Sequence, residues 1–219
     1  MNFTDLCNEV FTLTARPDLV AETQSAVRAA TLRAHHLDYF PKDLNEQPIV
    51  FAAAQFFQSI PISFFKNFRA LKYLRKFYPG ICSDQAYDQQ ILPGMWPIIY
   101  SPGANLPDGK FFRILSPEDT LDSYQINQVD VAYIAGQNIQ LKSGDQFQNL
   151  LCGIYTHPDI TVAGWNSWLA NEHPYAIVYD ACMTVFKTIG YDEQVTHYEK
   201  LVLMEQSQVI QSQILAVGS

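Results

Sequence analysis

Within residues 131–215 the chain changes period once, and that change most narrows the folds open to it. The first part reads Val131-Ala-Tyr-Ile-Ala-Gly-Gln-Asn-Ile-Gln-Leu-Lys-Ser-Gly-Asp-Gln-Phe-Gln-Asn-Leu-Leu-Cys-Gly-Ile-Tyr155. Short apolar runs cut by Gly136-Gln137-Asn138 and Ser143-Gly144-Asp145 predict a three-strand meander. From His173-Pro174-Tyr175 the apolar spacing lengthens to three and four, which predicts a helix to Ile189 with Pro174 in its first turn. Gly190 is suited to the left-handed position that ends such a helix, and Asp192 to the cap of the next, which runs to about Leu215. Its end, residues 206–213, is polar and weakly charged and is expected to be free for a partner. No catalytic motif lies anywhere in this stretch.

The rest of the chain frames it. Thr4 or Asp5 is suited to cap a short helix to about Thr14, with Phe3, Leu6, Val10 and Leu13 on one face. Asp18 is expected to open a second helix to about Leu37, on which Val27, Ala30 and Ala34 recur at helical spacing. Residues 47–62 read as one long strand between Pro48 and Pro61. Residues 63–78 fit either period, and their Phe and Tyr favour a strand. Residues 79–109 are dense in Pro and Gly and predict a long loop, which either carries local turns or orders only against another subunit. A short strand follows at 110–115. Ser116-Pro117-Glu118-Asp119 then has the pattern of a helix start. The expected fold is α+β: a helical bundle built from N-terminal and C-terminal helix pairs (residues 1–45 and 173–215) with an inserted antiparallel β region and long loop (46–160), forming a single domain over 1–219.

A chain of 219 residues is long enough to bury about 70% of its unfolded surface. Only 16% of its residues are charged, against about 25% in an average protein, while it carries 14 Phe, 12 Tyr and 3 Trp. Such a surface suits a subunit of a larger assembly, or a monomer rich in Gln, Asn and Ser. The net charge of −8 argues against broad binding to nucleic-acid phosphates. The densest basic run, Lys66-Asn-Phe-Arg69-Ala-Leu-Lys72-Tyr-Leu-Arg75-Lys76, reads as a solvated strand or helix edge, or as a face for a phosphate backbone or an acidic partner. Cys7, Cys82, Cys152 and Cys182 stand far apart. They suggest free, mostly buried thiols rather than a zinc or redox pair. The N-terminus lacks the pattern of a signal peptide, and no apolar run approaches the roughly 20 residues of a membrane span.

The chemistry-bearing residues each have a plain structural reading. His35 and His36, with Asp38 after them, are neighbours whose side chains point about 100° apart on a helix, so they do not share one metal ion. His157 and His173 precede prolines and suit loop or cap positions. His197 stands four residues after Glu193 and three before Lys200, a spacing that predicts a surface ion pair with Glu193. Asp84 and Asp88 supply carboxylates without a matching base, and Glu118 and Asp119 suit the positive end of a helix. Trp165 and Trp168 either stack a sugar or a base, or pin a helix pair onto a sheet. The motifs of serine hydrolases, zinc peptidases, Walker loops and dinucleotide folds are absent. No catalytic, cofactor-binding or metal-binding residue is assigned, and no cofactor is expected.

The order of these parts resembles that of tailed-phage head-to-tail adaptor (connector) proteins. The resemblance is carried by the segment Arg33-Ala-His-His-Leu-Asp-Tyr-Phe-Pro-Lys-Asp43, the hairpin Tyr133-Ile-Ala-Gly136-Gln-Asn-Ile-Gln-Leu141, the strand Leu151-Cys-Gly-Ile-Tyr155-Thr-His-Pro158, the Trp168 segment and the final helix pair. It covers most of the chain as a pattern, without a diagnostic motif. It implies a non-enzymatic virion protein at the head–tail junction, in a homo-oligomeric ring of twelve copies docked beneath the portal protein. It also implies that the ring meets a tail or nozzle protein, that double-stranded DNA passes through its channel without specific binding, and that no membrane is involved. Within that reading, residues 79–109 and the tail 205–219 are the expected subunit contacts. The competing expectations are a glycan-active hydrolase using Asp84 or Asp88 with Trp165 or Trp168, and a tail-associated binding module using 79–109.

Overall fold

The computed structural model describes residues 1–76, 111–115, 129–162 and 164–217. The chain divides into two compact units, one made of Met1–Asp43 with His157–Ser219, the other of Leu44–Thr156. The loop expected at 79–109, the helix start at Ser116, and Cys82, Asp84, Asp88, Glu118 and Asp119 lie outside the described residues.

The first unit is helical among its described residues: α1 (Phe3–Thr14), α2 (Val20–His35), α3 (Trp168–Glu172), α4 (Pro174–Ile189) and α5 (Asp192–Val217). The cap of α1 is Asn2, whose side chain accepts from the Asp5 amide at 3.0 Å while Asp5 accepts from the Asn2 amide at 3.0 Å. Asp5, expected as the cap itself, is therefore the reciprocal partner in a capping box. Asp18 does not open α2. The Arg16 guanidinium grips its carboxylate through two bonds of 2.9 and 2.8 Å, and the helix begins two residues later without a side-chain cap. Small residues let α2 and α4 approach closely. Ala26, Ala30, Ala176 and Ala181 are all buried in the shared core with Val27, Ile177 and Phe186. Arg33 fastens the two helices, donating to both oxygens of the buried Asp180 at 2.8 and 2.9 Å and to Thr184 at 3.1 Å. Gly190, at φ 76°, ends α4 in the left-handed conformation that glycine reaches without a Cβ penalty.

Helix α5 has 26 residues, a length of about 39 Å. Its described buried positions are few: Tyr198, Val202, Val209 and Gln213. These positions recur at helical spacing on one face, where Val195 and Leu201 also pack against the core, and each fully buried apolar side chain contributes about 1.5–3 kcal/mol. The segment 206–213 is not the free tip expected from its polarity. Val209 is fully buried, and Ser212 Oγ lies 3.2 Å from His173 Nε2.

The second unit is a mixed five-stranded sheet of β1 (Leu44–Pro61), β2 (Phe68–Lys76), β3 (Arg113–Ile114), β4 (Val131–Ala135) and β5 (Asn138–Thr156). The order is β1-β5-β4-β3, with β2 also on β5; β3 runs parallel to β4 and the other pairings are antiparallel. Its core gathers Ile49, Ile60, Phe65, Leu74, Phe112, Ile139, Leu141, Phe147, Leu150 and Ile154. The expected helical bundle with an inserted antiparallel β region is therefore corrected. The α+β fold here has five described helices and a mixed sheet dominated by β1 and β5, with its own core.

The physical reason lies in β5. The expected three-strand meander is a hairpin of two strands, β4 and β5, joined at Gly136-Gln137 with Gly136 at φ 60°. At Ser143-Gly144-Asp145 the chain does not turn back. Residues 143–146 form a bulge instead, between the partners of Phe57 and Gln55 on β1. The turn-forming residues are spent locally: Gly144 N donates to Asp130 Oδ1 at 3.3 Å and Asp145 N to Ser143 Oγ at 3.1 Å. A compensating bulge in β1 leaves 51–54 without partner residues on β5. Two side-chain amides answer it, Gln148 donating to the Phe51 carbonyl and Gln58 to that of Ala53, both at 2.9 Å. Pro48 is tolerated because β1 lies at the sheet edge.

Candidate functional site

The paired histidines at the end of α2 part company, as their helical spacing requires. His35 turns inward. Its Nδ1 lies 2.9 Å from both carboxylate oxygens of Asp43, which also accepts from Trp168 Nε1 at 2.7 Å. The His35 side chain is 2% exposed and the Asp43 side chain 3%, and the Trp168 ring meets His35 and Phe40 edge-on. His35 Nε2 is buried and makes no hydrogen bond. A carboxylate that orients an imidazole is the supporting half of many acid–base sites. Such a site also needs a reacting group within hydrogen-bond reach of Nε2, and none stands there among the described residues. The cluster is a polar staple that ties α2 to the start of α3 and to the 3-10 turn Pro41–Asp43.

His36 turns to the other side and packs against the His157 ring, with centroids 4.6 Å apart. His173 meets Ser212, and His197 meets the edge of Tyr198. The ion pair expected between His197 and Glu193 is not formed among the described residues, because the imidazole packs on its aromatic neighbour instead. No group of three His, Cys, Asp or Glu among the described residues is arranged to hold a metal ion. Among those residues, too, no helix is long and apolar enough to cross a membrane.

Trp165 and Trp168 both lie within the helical unit. Trp165 is buried in the helical core against Phe3, and Trp168 belongs to the staple described above. With Trp165 only 5% exposed, the pair offers no open platform for a sugar ring. Cys7, Cys152 and Cys182 are free and buried. Burial pushes the Cys7 thiol up to about 11 and Cys182 to about 12, and raises Cys152 further. None of these thiols is a nucleophile near neutrality.

The basic run forms β2, and its last member breaks the expectation of a solvated edge. Lys76 is 2% exposed. Its ammonium pairs with Asp130, donates to Ser143 Oγ at 2.7 Å, and lies 5.4 Å from the centre of the Phe112 ring. Asp130 adopts φ 57°, a left-handed conformation Asp tolerates better than most residues. Lys72 and Arg75 lie over the rings of Tyr155 and Phe111. Sequence reasoning missed this node because the partners are 54 and 67 residues away along the chain.

Several large apolar side chains stand open on the surface. On β1, Val50 is 65% exposed, Phe56 45% and Phe57 64%; on α5, Leu203 is 63% exposed and Met204 49%. The β1 surface had a signal in the sequence that composition hid: no charged residue stands between Glu46 and Lys66. Edge strands are ordinarily guarded by charge; on this one the described residues supply two prolines and a bulge instead. The depression between α2 and α4 is lined by Ala21, Glu22, Ser25, Ala29, Thr184 and Thr188, so one carboxylate and three hydroxyls are its polar groups. No protein-family model and no curated protein sequence matches the chain.

Proposed function

We propose that the chain is a non-enzymatic structural subunit of a tailed-phage virion, an adaptor whose ring joins the portal to the tail at the head–tail junction. The observation that carries this reading is the presence of two unlike apolar surfaces, residues 50–57 of β1 and the Leu203–Met204 face of α5. A ring with one rotation axis uses two different faces of each subunit, and exposed apolar patches of this kind mark interaction sites. The element order is that of the resemblance described above, which supplies the copy number of twelve, the portal and the tail or nozzle protein as partners, and the DNA channel. A net charge of −8 suits a wall past which DNA slides without sticking. The reading does not require a helical bundle.

The test is mass measurement and electron microscopy of the full chain mixed with the portal of the same phage. A ring seated on the portal supports the proposal. A chain that stays separate from the portal at every ratio refutes it, and turnover of a glycan panel by the unmodified protein would favour the hydrolase instead.

A further inference from the structure

We infer that Lys76 and Asp130 are the reactants of an intramolecular isopeptide bond, an amide between Nζ and Cγ that forms with age in the folded protein and ties the end of β2 to the residue before β4. The inference concerns the sheet unit alone and is independent of the adaptor reading.

The node carries what such a condensation needs. The nucleophile is a primary amine shut away from water: the Lys76 side chain is 2% exposed, and its Nζ lies 5.4 Å from the centre of the Phe112 ring. The electrophile is the Asp130 carboxyl paired with it. Two donors converge on Asp130 Oδ1, the Gly144 amide at 3.3 Å and the Ser143 hydroxyl at 3.4 Å. They stand where negative charge gathers on that oxygen during attack. A second carboxylate, Asp145, lies 3.9 Å from the same Nζ and serves as the proton acceptor. A plain ion pair requires neither the donors nor the second carboxylate.

The step balances without a co-reactant. The Lys76 ammonium passes a proton to Asp130 Oδ2, which sets an amine beside a carboxylic acid. The two charges cancel in that exchange, and a site shielded from water tolerates the neutral pair. The Nζ lone pair then attacks Cγ, and the carbonyl electrons move onto Oδ1 between its two donors. Asp145 takes a proton from the nitrogen and returns it to Oδ2. The Cγ–Oδ2 bond breaks, water departs, and Oδ1 re-forms the carbonyl. One N–C bond is made, one C–O bond is broken, and Asp145 is regenerated. The Asp130 side chain is 22% exposed, so the water has a way out. Well-oriented groups within one molecule react as though at about 10⁵–10⁸ M, which draws the condensation toward the amide. The ion pair described above is the reactant, and it is the state of the freshly folded protein. The product closes a covalent ring over residues 76–130, so a cut between them leaves the two pieces joined.

Intact mass of the full chain, freshly purified and again after a week folded at room temperature, tests the inference. The expected result is a fraction lighter by one water molecule that grows with time. Trypsin should then release a branched peptide joining residues 76–110 to 114–142, because an acylated Lys76 is not cut. Lys76→Arg keeps the positive charge and should stay at full mass. Asp145→Asn changes a largely exposed side chain and should slow the conversion about a hundredfold, with an unchanged circular dichroism spectrum. A chain of full mass after the week overturns the inference. So does a water loss that maps to other residues or persists in Lys76→Arg. Conversion of Asp145→Asn at the unmodified rate overturns the role given to Asp145. None of these outcomes touches the portal experiment.

Discussion

His35 and Asp43 are bonded at 2.9 Å inside the helical unit, and Asp43 is also the last residue before the chain enters the sheet. Asp43→Ala strips the acceptor from both the imidazole and the Trp168 indole. Leaving buried donors unsatisfied costs about 1–3 kcal/mol each. The expected loss is about 3 kcal/mol, read from urea unfolding followed by circular dichroism at 222 nm. If the cluster were instead a reacting site, the substitution would leave stability nearly intact.

The Lys76 ammonium makes the sharper electrostatic prediction. Asp130→Ala leaves it buried beside Ser143, with Asp145 at 3.9 Å as a weak and exposed substitute. Breaking one side of a buried pair costs about 3–5 kcal/mol; Asp130 is 22% exposed on its side chain, which places the expected cost nearer about 3 kcal/mol. Lys76→Met combined with Asp130→Ala should be more stable than Asp130→Ala alone. Equal stability of the two would show that the ammonium is solvated.

Gly153 stands opposite Tyr73, where β2 pairs antiparallel with β5. A Cβ at Gly153 would overlap the Tyr73 ring, so the ring lies where any side chain would be. Gly153→Ala should cost about 1–3 kcal/mol through overpacking. Adding Tyr73→Ala should make the Gly153→Ala step nearly neutral, a coupling that a thermal-unfolding cycle measures.

The thiols set an alkaline limit. In the unfolded chain they titrate near 9.0, whereas Cys7 rises to about 11 and Cys182 to about 12 on folding. Between those values the folded state holds more protons than the unfolded one, so stability falls as pH rises. Denaturation midpoints should be level with respect to these groups below about pH 8.5 and decline above it. Cys7→Ala/Cys182→Ala should make that decline shallower, the remainder belonging in part to Cys152, whose thiol burial also raises. In the native protein at pH 8, iodoacetamide should leave Cys7, Cys152 and Cys182 unlabelled, as mass mapping would show.

Helices were the legible part of this chain, since their signals are local. Pro174 and Gly190 bound α4 where the sequence places them, and the apolar residues of α1 fall on its buried face from Phe3 to Val10. The long strand at 47–62 and the strand after it were legible too, and the structure extends the first to Leu44. The sheet as a whole was not, because its decisive contacts are distant. Ser143-Gly144-Asp145 has turn chemistry, and only the presence of Asp130 and Lys76 turns it into a bulge. Asp18 looked like a cap until Arg16, two residues away, took its carboxylate. The β1 surface escaped notice for another reason: a residue count records which charges are present, not where along a strand they are missing.

The helical unit is made from both ends of the chain, Met1–Asp43 and His157–Ser219, with the whole sheet between them. On the ribosome this fixes an order of events. At about 5–20 residues per second, the apolar faces of α1 and α2 wait on the order of ten seconds before α4 exists to cover them. The sheet completes first. During that interval Leu6, Val10 and Val27 depend on chaperones or on each other, and a stall in translation after residue 156 would release a finished sheet tethered to two sticky, unfinished helices.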